Sequence, residues 1–444
     1  MKKKICILTI IFILFFTGLA QGQGLNFNNE LNRPKSLASM GGGDQRAAKS
    51  SIDSINIERG QNSLLNEVSF NVNASMSEAL KSINVDTFRK QYGADGTGVK
   101  IAVIDTGIDV SHPDLQKTPQ GKVKVIDYID FTDEGYVNTK ITAVPEKSSV
   151  VIEGQRYNAT GIRTRCGAFH LGIFGESQLD KNSPVGQDVN RNGTNDDVFG
   201  VLVTDSVLSG IYDTVYVDTN QNFDFSDEKP LKIYSRNHEW AAFGKDNPAA
   251  EYVEESSFVV SCIDIDGSFV KLSFDGNGHG THVAGTIGAN GKLSGTAPGA
   301  QIIAIKAMGS SGEGNWEDIF KAIDYAGKQG ANIINVSIGN LVSSNEGHRA
   351  QLRLLKNISL ESNALIVIAA GNSGPGLATA YDIEGNENII TVGAYMSPKL
   401  WDMNYNVNIP YETLWYYTGV GHGPSRPTVV APSSVISATC RWDS

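Results

Sequence analysis

The sequence predicts an α/β fold in which a parallel β-sheet is sandwiched by helices. From Gly93 onward, short apolar runs rich in β-branched residues alternate with segments of helical periodicity, a pattern typical of a parallel sheet covered on both faces. With 444 residues, 40% of them hydrophobic, the chain can bury a full-sized core. A long polar stretch at about 131–272 interrupts the alternation and indicates a large insertion.

Residues 1–20 have the layout of a secretory signal peptide. Three lysines precede an apolar run at 5–16 and small residues at 18–20, and the run is short for a membrane-spanning helix. We therefore expect a secreted protein, extracellular or periplasmic, with no stable membrane anchor after cleavage. The odd number of remaining cysteines predicts neither a disulfide framework nor a zinc site. They are Cys166, Cys262 and Cys440.

Residues 21–92 form a more polar N-terminal extension. Within it, the stretch 75–92 has helical periodicity, with Leu80, Ile83 and Phe88 among its apolar positions. The alternation of apolar runs and helical segments starts after this stretch, at residue 93.

Asp105 directly follows the first predicted buried strand. The apolar run 99–104 is bounded by Gly98 and Gly107, which favours a strand covered on both faces. Functional groups of open parallel sheets gather at the carboxyl ends of the strands. Asp105 is therefore placed to orient a partner in a site, and a turn-forming aspartate is the alternative.

His279 lies in a run of small residues at 277–285. Gly278 and Gly280 allow the backbone to approach the imidazole, and the residues that follow suit a tightly packed helix. We predict that His279 is a general base. His282 lies one turn further along, but a zinc pair requires a glutamate between the two histidines, so we assign His282 to helix packing.

Asn372 follows a third apolar run, at 364–370, and opens a glycine-rich turn. A side-chain amide at a strand end can donate to a developing oxyanion, and a turn asparagine is the alternative. The neighbouring Ser373 superficially resembles a chymotrypsin-type nucleophile. The order of the motifs and the predicted parallel strands argue against that assignment.

The clearest predicted helix runs from about Asn315 to Gln329. Asn315 is its cap, Asp318 stands at the reciprocal position, and Gly330 follows its end. A dinucleotide-binding fold shows the same alternation of elements, but its glycine fingerprint is absent between the first strand and its helix. The other predicted elements are a helix at 350–360 and strands at 331–336, 364–370 and 388–394.

The three motifs, in the order Asp105-Thr-Gly, His279-Gly-Thr-His and Ala-Ala-Gly-Asn372, resemble those of the subtilisin-like serine peptidases. An Asp, His, Ser order separates this family from chymotrypsin-like enzymes and α/β-hydrolases. The run at 392–398 and the long insertion are similar to the pyrolysin and tripeptidyl-peptidase II branch. Further matching segments, within about 93–436, are 295–299, 335–339, 390–394 and 428–432.

The resemblance implies a secreted endopeptidase that acts on polypeptides. Asp105 would orient His279, His279 would take the proton of a serine, and Asn372 would stabilise the oxyanion. Ser337 and Gly339 fall in a segment similar to the family's substrate-lining strands, which pair with an extended peptide.

The resemblance also implies that residues 21–92 are a propeptide, and a simple N-terminal extension is the alternative. Residues 308–312 resemble a second substrate-lining segment of the family.

The nucleophile is the departure from the family pattern. Relatives carry Gly-Thr-Ser-Met-Ala after the segment matched by Ala431-Pro432, and no later serine of this chain stands in that setting. We expect the serine to lie beyond Ser444 and the chain as written to be inactive alone. The alternative is an inactive homologue that binds peptides or calcium.

Two acidic clusters in the insertion predict structural calcium sites. Oxygen donors at alternate positions suit a hard cation, and solvated Asn/Asp turns are the alternative. A net charge of −11 agrees with a cation and argues against nucleic-acid partners. The predicted ligands are Asp188, Asn190, Asn192 and Asp196 in the first cluster and Asp218, Asn220, Asn222 and Asp224 in the second.

Overall fold

The centre of the fold is an eight-stranded, mainly parallel sheet. The computed structural model describes residues 72–146, 148–245, 253, 255–338, 346–376, 379–380, 388–421 and 427–443. Its strands are β1 (Lys100–Asp105), β2 (Val125–Asp130), β3 (Tyr136–Asn138), β4 (Ile141–Ala143), β5 (Ser149–Ile152), β6 (Gln155–Asn158), β7 (Phe169–Gly175), β8 (Val198–Thr204), β9 (Thr214–Val217), β10 (Ala241–Gly244), β11 (Glu255–Ile263), β12 (Phe269–Ser273), β13 (Gln301–Lys306), β14 (Ile333–Val336), β15 (Leu365–Ala369), β16 (Ile389–Met396), β17 (Thr413–Leu414) and β18 (Val429–Pro432).

Seven α-helices accompany these strands in the described part of the chain. They are α1 (Val72–Ser82), α2 (Val85–Tyr92), α3 (Tyr234–Asn237), α4 (His279–Gly288), α5 (Trp316–Lys328), α6 (Glu346–Ser362) and α7 (Pro398–Tyr405). No helix within the described ranges is both long enough and apolar enough to cross a membrane.

The central sheet has the order β17-β16-β15-β14-β1-β13-β2, and β18 also pairs with β16. All of these pairs are parallel except β16 with β17. The predicted α/β class is therefore confirmed. Because β14, β1, β13 and β2 run in the same direction, their carboxyl ends meet at one edge of the sheet.

Helices cover both faces of β1, which explains why its interior, residues 101–104, is apolar. Ala102 and Ile104 belong to the core formed with α5 and α6. Successive residues of a strand point to opposite faces, so Asp105 points away from this core. It points toward α4, which also packs on β1. The end of β1 thereby places the carboxylate of Asp105 next to the start of α4 at His279.

Helix α5 has the predicted cap. The Asn315 side chain accepts a hydrogen bond from the backbone N–H of Asp318 at 2.9 Å, and its amide donates to the Asp318 carboxylate at 2.5 Å. Ile319 and Ile323 on its inner face are buried. The observed helix, Trp316–Lys328, thus confirms the predicted one within a residue at each end.

Between β2 and α4 the chain forms three further sheets, all antiparallel. Two have four strands, in the orders β10-β11-β12-β3 and β4-β7-β8-β9, and the third is the hairpin β5-β6. Phe174, Phe199, Phe243 and Phe258 lie in one buried cluster among these strands. This region therefore has a hydrophobic core of its own despite its polar sequence.

The N-terminal helical stretch is two helices rather than one. Asn84, with a φ of 59°, separates α1 from α2, because a left-handed residue cannot continue a right-handed helix. Residues from Asn73 onward belong to one compact unit. Leu80 and Val85 pack against Val435, so this unit begins before residue 93. Residues 1–20 and most of 21–92 lie outside the described residues.

The three cysteines of the described chain are free thiols. Cys166 is exposed, Cys262 is half-buried and Cys440 is buried.

Candidate active site

Asp105 and His279 are brought together at the carboxyl edge of the sheet. The Nδ1 atom of His279 lies 2.6 Å from Oδ1 of Asp105. Asp105 is fully buried and is fixed by the N–H of Thr106, which donates to the same oxygen at 2.8 Å. Its Oδ2 has no hydrogen-bond partner within the described part of the chain. The carboxylate therefore holds the imidazole through one oxygen.

The environment of His279 favours the protonated ring. Burial lowers the pKa of the imidazole, but the charge and the hydrogen bond of Asp105, together with the charge of Asp275, raise this pKa above its ordinary value. An imidazole with this pKa can take up a proton and keep it while a neighbouring bond is made or broken.

Asp275 connects the turn after β1 with the start of α4. Its buried carboxylate accepts hydrogen bonds from the Thr106 hydroxyl, from the N–H groups of Asn277 and Gly278, and from both the N–H and the hydroxyl of Thr281. These bonds fix the loop that precedes His279. Asp275 was not among the predicted site residues, although an aspartate four positions before a glycine-flanked histidine was a visible signal.

His282 follows His279 by about one turn of α4 and is close enough for the charge of His279 to act on it. Burial and the charge of His279 lower the pKa of His282 to about 3, so its ring is neutral, and it also has a hydrogen bond with the backbone of Val435. This placement agrees with the packing role expected of His282.

Residues 437–442 pack beneath α4. The Ser437 hydroxyl donates to the carbonyl of His282, Cys440 Sγ lies 3.2 Å from the Thr281 hydroxyl, and Trp442 Nε1 donates to the carbonyl of Asp275. Cys440 and Trp442 are both buried. Residues 437–442 thus contact both α4 and the loop before it, and these contacts hold the two in place.

Asn372 and Ser337 lie on the side of β1 away from β13, where β14 neighbours β1 and β15 neighbours β14. Ser337 comes directly after β14, and Asn372 comes shortly after β15. Asn372 is exposed, and the Ser337 hydroxyl accepts a hydrogen bond from the amide of Asn335 at 2.9 Å. Parallel pairing therefore places both residues at the same sheet edge as Asp105. Gly339 lies outside the described residues.

The first acidic cluster forms a closed loop of local hydrogen bonds. Asp188 accepts the N–H groups of Asn192 and Gly193, and Asp197 Oδ2 accepts the amides of Asn190 and Asn192. The structure thus uses Asp197 in this loop, whereas Asp196 is exposed.

The second cluster has the same arrangement. Asp218 accepts the N–H groups of Asn222 and Phe223, and Asp227 Oδ2 accepts the amides of Asn220 and Asn222. Asp224 instead accepts hydrogen bonds from Asn158 and Ser226. The missed residues, Asp197 and Asp227, share the tenth position counted from the first aspartate of their clusters.

A glutamate supports each loop at its second position. Glu176 accepts the N–H of Val189, and Glu228 accepts the N–H of Thr219. Burial, with smaller contributions from neighbouring aspartates, raises the pKa of both carboxyl groups to about 7. Two carboxylates and two amide oxygens per loop are a donor set that suits a hard cation. Within the described ranges, no three His, Cys, Asp or Glu residues are grouped so that they could hold a metal ion.

The chain is similar to known peptidases. The chain is 31% identical to pyrolysin of Pyrococcus furiosus over 442 residues, covering 81% of this chain and 30% of that protein. It is 26% identical to tripeptidyl-peptidase 2 of Arabidopsis thaliana, covering 82% of this chain and 31% of that protein. The chain therefore spans about a third of the length of these relatives.

A crystal structure of tripeptidyl peptidase 2 has the same fold. It superimposes with a TM-score of 0.53 at 19% identity, covering 75% of this chain and 30% of that chain. The family model of the subtilases, peptidase S8, matches residues 96–443, which is most of the chain and includes both Asp105 and His279. The chain belongs to the subtilase family, and pyrolysin and tripeptidyl-peptidase 2 are the relatives that match the predicted branch.

Proposed function

We propose that this chain supplies the base, its orienting carboxylate and an oxyanion donor of a secreted serine endopeptidase. The observation that carries the proposal is the 2.6 Å contact between Asp105 and His279 at the carboxyl edge of the sheet. Family membership supports a peptidase, and polypeptides are the proposed substrates. Ser337, Gly339 and the segment 308–312 are proposed to line the groove that takes an extended peptide.

In the proposed mechanism, Asp105 keeps Nδ1 of His279 as a donor, so that Nε2 is free to accept a proton. Nε2 removes the proton of the serine hydroxyl as its oxygen attacks the carbonyl carbon of the substrate, and later gives that proton to the leaving amine. Asn372 donates to the oxyanion of the tetrahedral intermediate. Because the pKa of His279 is raised, we expect activity to increase with pH until this imidazole is deprotonated.

The nucleophile is proposed to lie in a segment after Ser444, because no serine of the printed sequence stands in the family's Gly-Thr-Ser-Met-Ala setting. The signal-like residues 1–20 support export to an extracellular or periplasmic location. Residues before the compact unit are proposed as a propeptide.

Calcium is proposed as a structural ion of the insertion. Asp188, Asn190, Asn192 and Asp197 would hold it in the first loop, and Asp218, Asn220, Asn222 and Asp227 in the second. A bound cation would offset the mutual repulsion of the carboxylates in each loop. In each loop, local hydrogen bonds bring the side chains of two asparagines to the later aspartate, which supports this assignment.

The decisive experiment is labelling with a serine-directed phosphonate. The protein extended through the proposed serine should be labelled and should cleave an unstructured polypeptide, and His279→Ala should abolish both signals. The 444-residue chain serves as the unlabelled control. A folded, extended protein that stays unlabelled would refute the peptidase and favour a peptide- or calcium-binding homologue.

A further inference from the structure

Three neighbouring strands of the central sheet end in charged residues at the same register. Asp105 at the end of β1 pairs with Lys306 at the end of β13, and Lys306 pairs with Asp130 at the end of β2. Asp105 and Lys306 are completely buried, and Asp130 is nearly so. Charged side chains are rarely buried in this way unless they are paired, so Lys306 requires a partner.

That partner comes from the insertion. The Lys306 ammonium lies 2.9 Å from Oε2 of Glu134 and donates to the carbonyl of Thr106 at 2.6 Å. The other oxygen of Glu134 accepts the N–H of Ser310 at 2.9 Å. One buried ion pair thus touches the residue after Asp105 and a segment proposed to line the substrate groove.

We propose that Glu134 and Lys306 are a positioning pair through which the insertion holds the Thr106–Gly107 peptide, directly after Asp105, and the Ser310 backbone in place for reaction at His279. The proposal rests on the proposed function only in treating Asp105 and His279 as the reacting pair. Neither residue touches the substrate or the reacting atoms. Both act through the backbone groups that they hold and through their opposite charges, which combine with the charge of Asp275 that also acts on His279.

The charges around Lys306 show why the pair is balanced. Asp130, Glu134 and Asp275 all face the ammonium, and although burial lowers its pKa, their combined charge raises the pKa of Lys306 above its ordinary value. Asp275 also acts on His279. Removing the positive charge of Lys306 makes the local charge more negative, whereas removing the charge of Glu134 makes it less negative.

This balance makes opposite predictions for two single variants. Lys306→Met should raise the pKa of His279, because the surrounding carboxylates then stabilise the imidazolium more strongly. Glu134→Gln should lower it, because the remaining ammonium disfavours a second positive charge. Each shift should be about half a pKa unit or more. The double variant Glu134→Gln/Lys306→Met should return the pKa to within about 0.2 units of the parent.

The test is an NMR titration of the 444-residue chain with ring-labelled histidine, in which the His279 signal is the one missing from His279→Ala. Lys328→Met is the matched control, since it removes an exposed ion pair in which the Lys328 ammonium lies 2.6 Å from Asp324. This control should leave the His279 titration unchanged. Circular dichroism checks the folding of each variant.

Shifts in the same direction, absent shifts, or a double variant that does not return would overturn the proposal, since a merely structural pair predicts no sign reversal. If Lys306→Met does not fold, Glu134→Gln and the double variant decide the question by the same criteria. The titration requires no nucleophile. A protein that fails phosphonate labelling but shows opposite shifts would therefore refute the peptidase and keep the positioning pair.

Discussion

The reaction edge is the carboxyl edge of the central sheet with Asp105 and His279, and the two acidic loops of the insertion are residues 188–197 and 218–227. Both regions are polar, but they are assembled in different ways. At the reaction edge, Asp105 and His279 are 174 positions apart and meet through strand pairing and helix packing. In the acidic loops, Asp188 and Asp197 are connected through residues between them in the chain. We therefore expect substitutions at the edge to change rate, and substitutions in the loops to change stability.

The largest expected effect separates the two regions directly. In the protein that carries the proposed serine, Asp105→Asn should lower kcat by about 10⁴, because the imidazole loses the carboxylate that fixes its tautomer. Asp188→Asn removes the same charge from the first loop and should leave kcat unchanged. Turnover of a peptide substrate at saturation measures both. Equal losses of kcat in the two variants would contradict the expectation that only the reaction edge affects the rate.

Asn372→Ala should come next, with a loss of about 10²–10³ in kcat, the range for removal of one oxyanion donor of a subtilisin. Ser373→Ala, one position along, is the control and should keep full activity if Ser373 is not a nucleophile. The same kinetic assay applies, with the melting temperature as a check on folding. Full activity in Asn372→Ala would assign Asn372 to the turn.

For the loops, removal of calcium should lower the melting temperature. At a free calcium concentration of 100 times the dissociation constant, one site contributes about 2.7 kcal/mol, and in a protein of this size that corresponds to a shift of about 3 °C per site. Differential scanning calorimetry with and without a chelator measures the shift.

Variants of the loops then locate the ion. Asp197→Asn and Asp227→Asn should reduce the calcium-dependent shift, whereas Asp196→Asn should not, because Asp196 is exposed and lies outside the hydrogen-bonded loop. An unchanged melting curve in the chelator would leave two polar turns without an ion.

The loops should also give stability a distinct pH dependence without calcium. Burial raises the pKa of Glu176 and Glu228 from 4.5 to about 7, so the folded state binds protons more readily than the unfolded state. Stability should therefore rise as the pH falls from about 8 to about 5, by on the order of 1–3 kcal/mol per group. Melting curves across this range should show the rise, and Glu176→Gln should weaken it. Stability that falls over the same range would contradict the raised pKa values.

The smallest effect concerns the turn inside the first loop. Gly193 has a φ of +88°, where a side chain costs about 1–2 kcal/mol, so Gly193→Ala should lower the free energy of unfolding by about this amount. Gly175→Ala is the control, since Gly175 has a φ of −120° and an added Cβ meets only ordinary contacts. Urea unfolding measures both. Equal stability of the two variants would show that the turn is not strained by alanine.

The comparison also explains what the sequence could predict. The fold class, the capped helix α5 and the strands around it follow from local periodicity and capping. The strand end predicted a functional role for Asp105, but its pairing with His279 was implied only by the resemblance of the two motifs to the subtilisin-like peptidases, because His279 opens a helix and does not end a parallel strand. In the loops, alternation predicted oxygen donors at the first, third and fifth positions, and only the structure shows that the fourth predicted residue, Asp196, is exposed while Asp197 joins the hydrogen bonds of the first loop.

The contacts of the buried charged residues near the reaction edge could not be predicted from the local sequence pattern. The three residues come from separate parts of the chain: Lys306 ends a strand, Glu134 lies in the insertion and Asp275 lies in the loop before α4. Their contacts depend on the register of the strands and on how the insertion folds back onto the central sheet. A lysine that ends an apolar strand was nevertheless a usable signal, because it must find a carboxylate or lie unpaired in the core.

The buried thiol of Cys440 allows the local opening of the structure around His279 to be measured as a rate of chemical modification. Its thiol is enclosed between the Thr281 hydroxyl and the carbonyl of Asp275, and burial raises its pKa well above the ordinary value. Cys166 is exposed, and hydrogen bonds from Thr164 and Tyr212 lower its pKa. A thiol reagent should therefore modify Cys166 at once, and Cys440 only when the segment beneath α4 detaches. The rate of the slow phase then measures how often the support of His279 opens.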